Sequence, residues 1–271
     1  MTASDPAPGT PDASSDRATF DVLKDVYVSV VFLTRLPAPA WPEAEGRRLA
    51  TAMWAFPVAG VLVATVGGLV FALGTLLSWP TMVSALLAVV AMILATGGLH
   101  EDGLADFADG VWGGATPERR LEIMSDSRIG AYGAIALIVS IGIRAAAIAE
   151  LNDPGFVLGA LVAAAAVSRA TIPVVMAFGT PAKSGGLGAG AGKPDAAVWA
   201  GGLLIAVLVV VLAAPGGWFT GVLGAAAGAA LVGWFAARSL GGYTGDTLGA
   251  TQQTAEIFAL AFIAAVIPVV Y

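Results

Sequence analysis

The sequence predicts an all-α protein, a polytopic transmembrane helix bundle with about seven spans and an amino-terminal interfacial or half-inserted helix. Three observations carry this reading. Of 271 residues, 58% are hydrophobic and only 12% charged; mean hydropathy is +0.85; and apolar runs near the roughly 20 residues a bilayer needs recur to the carboxyl end. A water-soluble globule of this composition would be covered in apolar surface.

Met1 to Ala18 is rich in Pro, Ser, Thr, Ala and Asp and reads as a disordered tail. No basic segment followed by an apolar one stands at the terminus, so a cleaved signal peptide is not expected and insertion falls to internal helices. Residues 19–271 then form a single transmembrane domain. Phe20 to Leu36 is interrupted by Asp21, Lys24, Asp25 and Ser29 and stops at Pro37, which suits an interfacial or half-inserted helix better than a span. The spans follow at about 53–79, 81–99, 133–150, 155–179, 196–214, 217–238 and 254–270. Gly224 and Gly228, separated only by alanines, are assigned to close helix packing and to no chemistry.

Charge placement sets the orientation, because Lys and Arg gather on the cytoplasmic side of short loops. With the amino terminus inside, the inside segments hold Arg17, Lys24, Arg35, Arg47, Arg48, Arg119, Arg120, Arg128, Lys183, Lys193 and Arg238, which is eleven of the 13 cations. Arg144 and Arg169 lie within spans. The polar loops 100–132, 180–195 and 239–253 therefore share the cytoplasmic face of the inner membrane, and any chemistry belongs there.

Composition excludes several classes. A formal charge of -6 argues against a nucleic-acid partner. Zero cysteines and one histidine remove thiolate chemistry and multi-imidazole zinc sites. Carboxylates, hydroxyls and guanidinium groups remain, a set that suits Mg²⁺.

The most informative segment is His100 to Gly110, with Glu101, Asp102, Asp106 and Asp109 directly after an apolar run. At about 100° per residue, Asp102, Asp106 and Asp109 fall within roughly 60° of one another on a helix, with Glu101 off that face. A solvated helix normally mixes signs along its face, so an unmixed acidic stripe favours a metal. Asp126 is a candidate for a further oxygen ligand. Arg128, flanked by Ser127 and Gly130, has the fork that holds a phosphate.

Two further cytoplasmic segments carry weaker signals. In Gly241 to Gly249, glycines flank Thr244, Asp246 and Thr247, and the segment reads equally as a flexible turn or as a phosphate or metal contact through Gly245, Asp246 and Thr247. Lys183 to Lys193 reads as a glycine-rich linker. Arg169, midway along an apolar segment, needs a carboxylate or a phosphate, and Arg144 poses the same question. Glu256, inside the last span, also calls for a partner. His100, the single imidazole, is a second-rank candidate for a general base or a substrate contact.

The run Thr96 to Gly110, then Leu121-Glu122-Ile123-Met124-Ser125-Asp126-Ser127-Arg128-Ile129-Gly130, then Gly241 to Ala250, together with Phe32-Leu33-Thr34-Arg35-Leu36-Pro37, resembles the cobalamin synthase family from about residue 22 to the carboxyl end. The sequence departs from that pattern in the 180–188 loop and at Ala250 to Thr254, where no acid precedes Glu256. The resemblance implies a Mg²⁺-dependent membrane transferase that joins adenosylcobinamide-GDP to α-ribazole, or to its 5'-phosphate, with release of GMP. Membrane lipid would surround it, and a homo-oligomer is compatible with the sequence.

The residue chemistry fits such a reaction. Asp102, Asp106 and Asp109 would hold one or two Mg²⁺, with Asp126 and Asp246 completing the shell, and Arg128 and Arg169 would bind substrate with Ser127, Gly245 and Thr247. Asp102, Asp106 or His100 would take the hydroxyl proton. Other readings remain open on the residues alone: a membrane alcohol phosphotransferase or prenyltransferase acting on a Mg-pyrophosphate, or a cation carrier, against which the one-sided stripe counts.

Overall fold

A computed structural model describes residues 21–186 and 190–267; the tail expected over Met1 to Ala18 lies outside them. Eleven α-helices are found among the described residues, with no strand. In chain order they are α1 (Val22–Leu33), α2 (Leu49–Ala52), α3 (Phe56–Leu76), α4 (Thr81–Thr96), α5 (Leu99–Gly113), α6 (Pro117–Ile123), α7 (Ala131–Leu151), α8 (Pro154–Phe178), α9 (Ala196–Ala213), α10 (Trp218–Leu240) and α11 (Gly245–Ala264).

Helix α1 is amphipathic in the inverted sense. Its polar Asp25 and Ser29 are buried, while Val22, Leu23 and Val31 are exposed. Asp25 accepts hydrogen bonds from Arg47 Nε at 2.6 Å and Trp54 Nε1 at 2.9 Å, and Ser29 donates to the Ala52 carbonyl at 2.9 Å. Polar anchors hold α1 to the segment leading into α3, and its apolar residues face outward, the arrangement of a helix bathed in lipid rather than water. Leu69, Leu76, Leu94, Ile138, Leu204, Leu212 and Phe219 extend the same exposed apolar character over the bundle. So much exposed apolar surface fits a multi-pass membrane protein.

The number of spans differs from the sequence expectation. Five helical stretches among the described residues are long and apolar enough to cross a membrane, Leu49–Leu76, Ala131–Leu151, Pro154–Phe178, Ala196–Ala213 and Trp218–Leu240, or six with α4 and α5 taken as one bent pair. Two of the expected seven account for the difference. Helix α4 has 16 residues, about 24 Å at 1.5 Å per residue, short of a hydrocarbon core of about 30 Å. The other, expected at 254–270, is the later part of α11, which starts at Gly245 and buries Thr247, Thr251, Gln252, Gln253 and Glu256. This helix packs against α5, α7, α8 and α10. A polar helix can stand at the centre of a membrane bundle because its neighbours, not lipid, satisfy its side chains.

Two backbone features position the site. Gly97 and Gly98 both have left-handed backbone, φ 66° and 71°, which costs a glycine little. Gly97 ends α4, Gly98 starts α5, and the two helices meet at 94°. The second feature is the crossing of α5 and α11, where a Cβ on Gly103 would stand 3.0 Å from the Asp246 carbonyl oxygen and 3.2 Å from Gly249 Cα. Gly224 and Gly228 of α10 serve the packing expected of them: a Cβ on either would meet an α11 carbonyl oxygen at 2.6 Å.

Candidate active site

The Gly103–Gly249 crossing sets the first turn of α5 against the first turn of α11, so Asp102 and Asp246 line one cavity of about 250 Å³. The end of α11 that carries Asp246 is fixed locally by a capping box: Thr244 Oγ1 accepts from Thr247 N–H at 3.2 Å, and Thr247 Oγ1 accepts from Thr244 N–H at 3.2 Å. A short backbone bridge joins this turn to the loop after α8, with Tyr243 N–H donating to the Thr180 carbonyl at 2.9 Å and Ala182 N–H donating to the Tyr243 carbonyl at 2.8 Å. That bridge brings Lys183 to the cavity. The Lys183 ammonium donates to the Leu121 carbonyl at 3.0 Å and to Ser125 Oγ at 2.7 Å, and its charge acts on Asp246.

The cavity therefore combines two carboxylates, one ammonium and the His100 imidazole with an apolar wall of Leu33, Met53, Phe56, Leu99, Ile172 and Met176. His100 is 2% exposed, and among the described residues neither ring nitrogen has a hydrogen-bond partner. Asp106, one turn beyond Asp102 and outside the cavity lining, is half-buried and feels the charges of Asp102, Asp246 and Asp109. No hydrogen bond engages its carboxylate among the described residues.

The other sequence candidates stand elsewhere. Asp109 is buried with both oxygens engaged: Oδ2 accepts from Gly130 N–H at 2.7 Å and Oδ1 from Gly133 N–H at 2.9 Å. It caps the start of α7, where backbone N–H groups lack partners within the helix. Asp126 is paired with Arg128 through a 2.6 Å bond from Nη2. The guanidinium holds the Asp126 carboxyl at about 2, so the pair persists at neutral pH and is lost as pH falls through that value. Arg128, Ser127 and Asp126 all lie outside the cavity lining, and the fork expected to hold phosphate is occupied by Asp126. Gly245 lines the cavity, whereas Thr247 is fully buried in the capping box.

Arg169 and Arg144 find carboxylates rather than phosphate. Arg169 Nη1 lies 3.3 Å from Glu256 Oε2, Arg144 Nη1 lies 3.3 Å from Glu256 Oε1, and Arg144 Nη2 lies 3.0 Å from Glu101 Oε1. Amides complete the cluster. Gln252 donates to Glu256 at 2.7 Å and to Ser168 Oγ at 3.0 Å, and Gln253 donates to Glu101 at 3.1 Å and to Gln252 Oε1 at 3.0 Å. Two guanidinium groups balance two carboxylates, which is the condition for burying charge among membrane helices.

Sequence reasoning missed Glu101 and the two glutamines as members of this cluster. The signal was present, since Glu101 points away from the stripe and Gln252, Gln253 and Glu256 lie within one turn of each other. Lys183 was missed as a site residue because only the Tyr243 bridge brings it to the cavity.

The donor set suits magnesium in one particular way. Among the described residues no three carboxylate or imidazole groups stand close enough to hold an ion by themselves, so a cage of five aspartates is not formed. Magnesium is usually bound by one or two carboxylates with substrate phosphates and water completing the octahedron. Asp102 and Asp246 on one cavity meet that requirement.

The family profile of cobalamin-5-phosphate synthase matches residues 25–264. The chain belongs to this family. Three relatives named adenosylcobinamide-GDP ribazoletransferase illustrate the closeness. The protein of Bradyrhizobium diazoefficiens is 43% identical over 246 residues, covering 90% of this chain and 95% of that one. Those of Mesorhizobium japonicum and Rhizobium etli are 45% and 44% identical, covering 88% and 90% of this chain and 92% and 97% of theirs. Members of the family are transferases of cobalamin synthesis. No solved structure matches the chain.

Proposed function

We propose that this chain is a Mg²⁺-dependent transferase of the cytoplasmic membrane that joins adenosylcobinamide-GDP to α-ribazole, or to its 5'-phosphate, and releases GMP. The observation that carries the reading is the shared cavity of Asp102 and Asp246 with Lys183 at its rim. Attack of a ribose hydroxyl on a pyrophosphate builds charge on the transferred phosphoryl group and the leaving nucleotide, and positive groups must offset it. Bound Mg²⁺ would supply Lewis-acid neutralisation of the phosphate oxygens.

The chain's own residues supply the rest. Asp102 and Asp246 hold the cation site from two helices, and the glycine crossing fixes their separation. Lys183 exchanges the Leu121 carbonyl and Ser125 hydroxyl for a substrate phosphate. It takes the role expected of Arg128, because it already lines the cavity. Asp106, whose oxygens are not engaged, takes the proton of the attacking hydroxyl. Acid-base help of this kind contributes about 10²- to 10⁴-fold. The cytoplasmic orientation, with the amino terminus inside, rests on the placement of the cations.

The test is direct. Purified chain in lipid nanodiscs, given adenosylcobinamide-GDP and α-ribazole, releases GMP with Mg²⁺ and stops with chelator. GMP release unaffected by thorough chelation would refute the metal assignment, and no release under any divalent cation would refute the function.

A further inference from the structure

The reaction above needs the Asp102 carboxylate to point at the cavity, and little at Asp102 itself makes it do so. Asp102 is exposed, and no hydrogen bond engages its carboxylate among the described residues. Helix α5 starts from Gly98, which has left-handed backbone and no side-chain cap, and a Cβ built there would meet nothing within 4 Å. The Gly103–Gly249 crossing lets α5 and α11 touch, but two glycines present no side chains to resist rotation of one helix about its axis. Such rotation matters. Side chains reach about 5–6 Å from a helix axis, so a turn of roughly 10° moves a carboxylate by about 1 Å, and a misplacement of about 1 Å can cost 10²-fold in rate.

Glu101 has the bonds that Asp102 lacks. It is 7% exposed, and its Oε1 accepts from Arg144 Nη2 of α7 at 3.0 Å and from Gln253 Nε2 of α11 at 3.1 Å. Both donors are held from behind. Arg144 Nη1 lies 3.3 Å from Glu256 Oε1, and Gln253 accepts from Ser140 Oγ at 3.2 Å while its amide also donates to Gln252 Oε1 at 3.0 Å. Asp246, Gly249 and Gln253 are spaced i, i+3, i+7 on α11, which is one face of a helix, so the face that carries Asp246 also touches Gly103 and grips Glu101. Stability is a poor account of this arrangement. Glu101 Oε2 is buried with no partner among the described residues, an unsatisfied oxygen that weakens the cluster, and the fixing of register is the best-attested use of buried ionic groups.

We propose that Glu101 is a positioning residue: gripped by Arg144 and Gln253, it sets the rotation of the first turn of α5 and so directs Asp102, the next residue, into the cavity shared with Asp246. This role deepens the proposed function and rests on it. Successive side chains on a helix stand about 100° apart, so locking Glu101 toward α7 and α11 leaves Asp102 a single direction. Glu101 is not among the residues that line the cavity, and its effect passes through Asp102.

Two measurements on the full chain in detergent test this. The chain has no cysteine, so nitroxide labels at Asp102→Cys and Asp246→Cys report the separation of the two positions by electron paramagnetic resonance. The pair is expected to show a narrow distribution with Glu101 in place and a broader or displaced one after Glu101→Gln. The second measurement is the affinity for Mn²⁺, a paramagnetic probe for the Mg²⁺ site, with adenosylcobinamide-GDP present and no acceptor, so that nothing turns over. Glu101→Gln should weaken Mn²⁺ binding about tenfold or more, within the 10²-fold that a displacement of about 1 Å carries, and should add nothing to the effect of Asp102→Asn. Glu256→Gln removes the same charge from the same cluster but leaves both bonds to Glu101 intact; it should lower the melting midpoint and keep Mn²⁺ affinity within about twofold, on the same scale. The exchange of Glu101→Gln with Gln253→Glu, which moves the charge to the other end of one hydrogen bond, should recover most of the affinity. An unchanged label separation in Glu101→Gln would overturn the proposal, as would equal losses of Mn²⁺ affinity in Glu101→Gln and Glu256→Gln at equal losses of melting midpoint. A separation that Glu101→Gln broadens, in a wild type that binds no Mn²⁺, would refute the metal reading and leave the positioning role standing. Should Glu101→Gln not fold, Gln253→Leu, which changes no charge, must broaden the separation.

Discussion

Glu256→Gln is the sharpest perturbation of the buried network. The Glu256 carboxylate faces Arg144 at 3.3 Å and Arg169 at 3.3 Å, and accepts from Gln252 at 2.7 Å. The substitution keeps the shape and removes one negative charge, so two buried guanidinium groups are left with Glu101 alone and the cluster carries a net positive charge. Leaving a buried charge uncompensated costs about 3–5 kcal/mol. At about 2–4 °C per kcal/mol for a chain of this size, the melting midpoint in detergent should fall by roughly 6–20 °C. The double variant Glu256→Gln with Arg169→Met should recover much of this loss, because the remaining Arg144 is balanced by Glu101 at 3.0 Å. Light-scattering or fluorescence melting of purified protein reads the shift. A midpoint unchanged by Glu256→Gln, or a double variant worse than the sum of its singles, would refute the charge-balance reasoning.

Other expectations follow from the same geometry. Asp109→Ala leaves the Gly130 and Gly133 N–H groups without acceptors and should cost about 1–2 kcal/mol of stability, as loss of a helix cap does, while folded protein keeps most of its activity. A loss as large as that of Asp102→Ala, at unchanged melting midpoint, would return Asp109 to the metal site. Gly103→Ala places a methyl 3.0 Å from the Asp246 carbonyl oxygen; it should lower GMP release more than it lowers the melting midpoint, and full activity would show that the helix crossing does not set the carboxylate separation. Lys183→Ala should raise KM for the nucleotide-linked substrate more than Arg128→Ala does, and the reverse order would restore the sequence-based choice.

Much of this arrangement is legible in the amino-acid order, and the parts that are not share a cause. The apolar runs identify the bundle, since hydropathy is a local property. The stripe of Asp102, Asp106 and Asp109 is correctly helical. Their different roles depend on what faces them: Asp102 shares a cavity with Asp246 because two glycines let α5 and α11 touch, whereas Asp109 meets the start of α7. Helical spacing cannot separate these outcomes. Arg169 and Glu256 were each recognisable as needing a partner, but 87 residues separate them in the chain, and only the packing of α8 against α11 shows that they serve each other. The central position of α11 was hidden for a similar reason, because its glutamines and threonines lower its hydropathy while helix neighbours replace lipid around it.

The central claim is that Asp102 and Asp246 act together on one Mg²⁺. Its most direct test is a double-mutant cycle of Asp102→Asn and Asp246→Asn read as the Mg²⁺ concentration for half-maximal GMP release. The account predicts that each single variant raises that concentration at least tenfold, about 1.4 kcal/mol, and that the double variant falls well short of the product of the two. Independent, multiplicative effects, or a half-maximal concentration unmoved by either change, would contradict it.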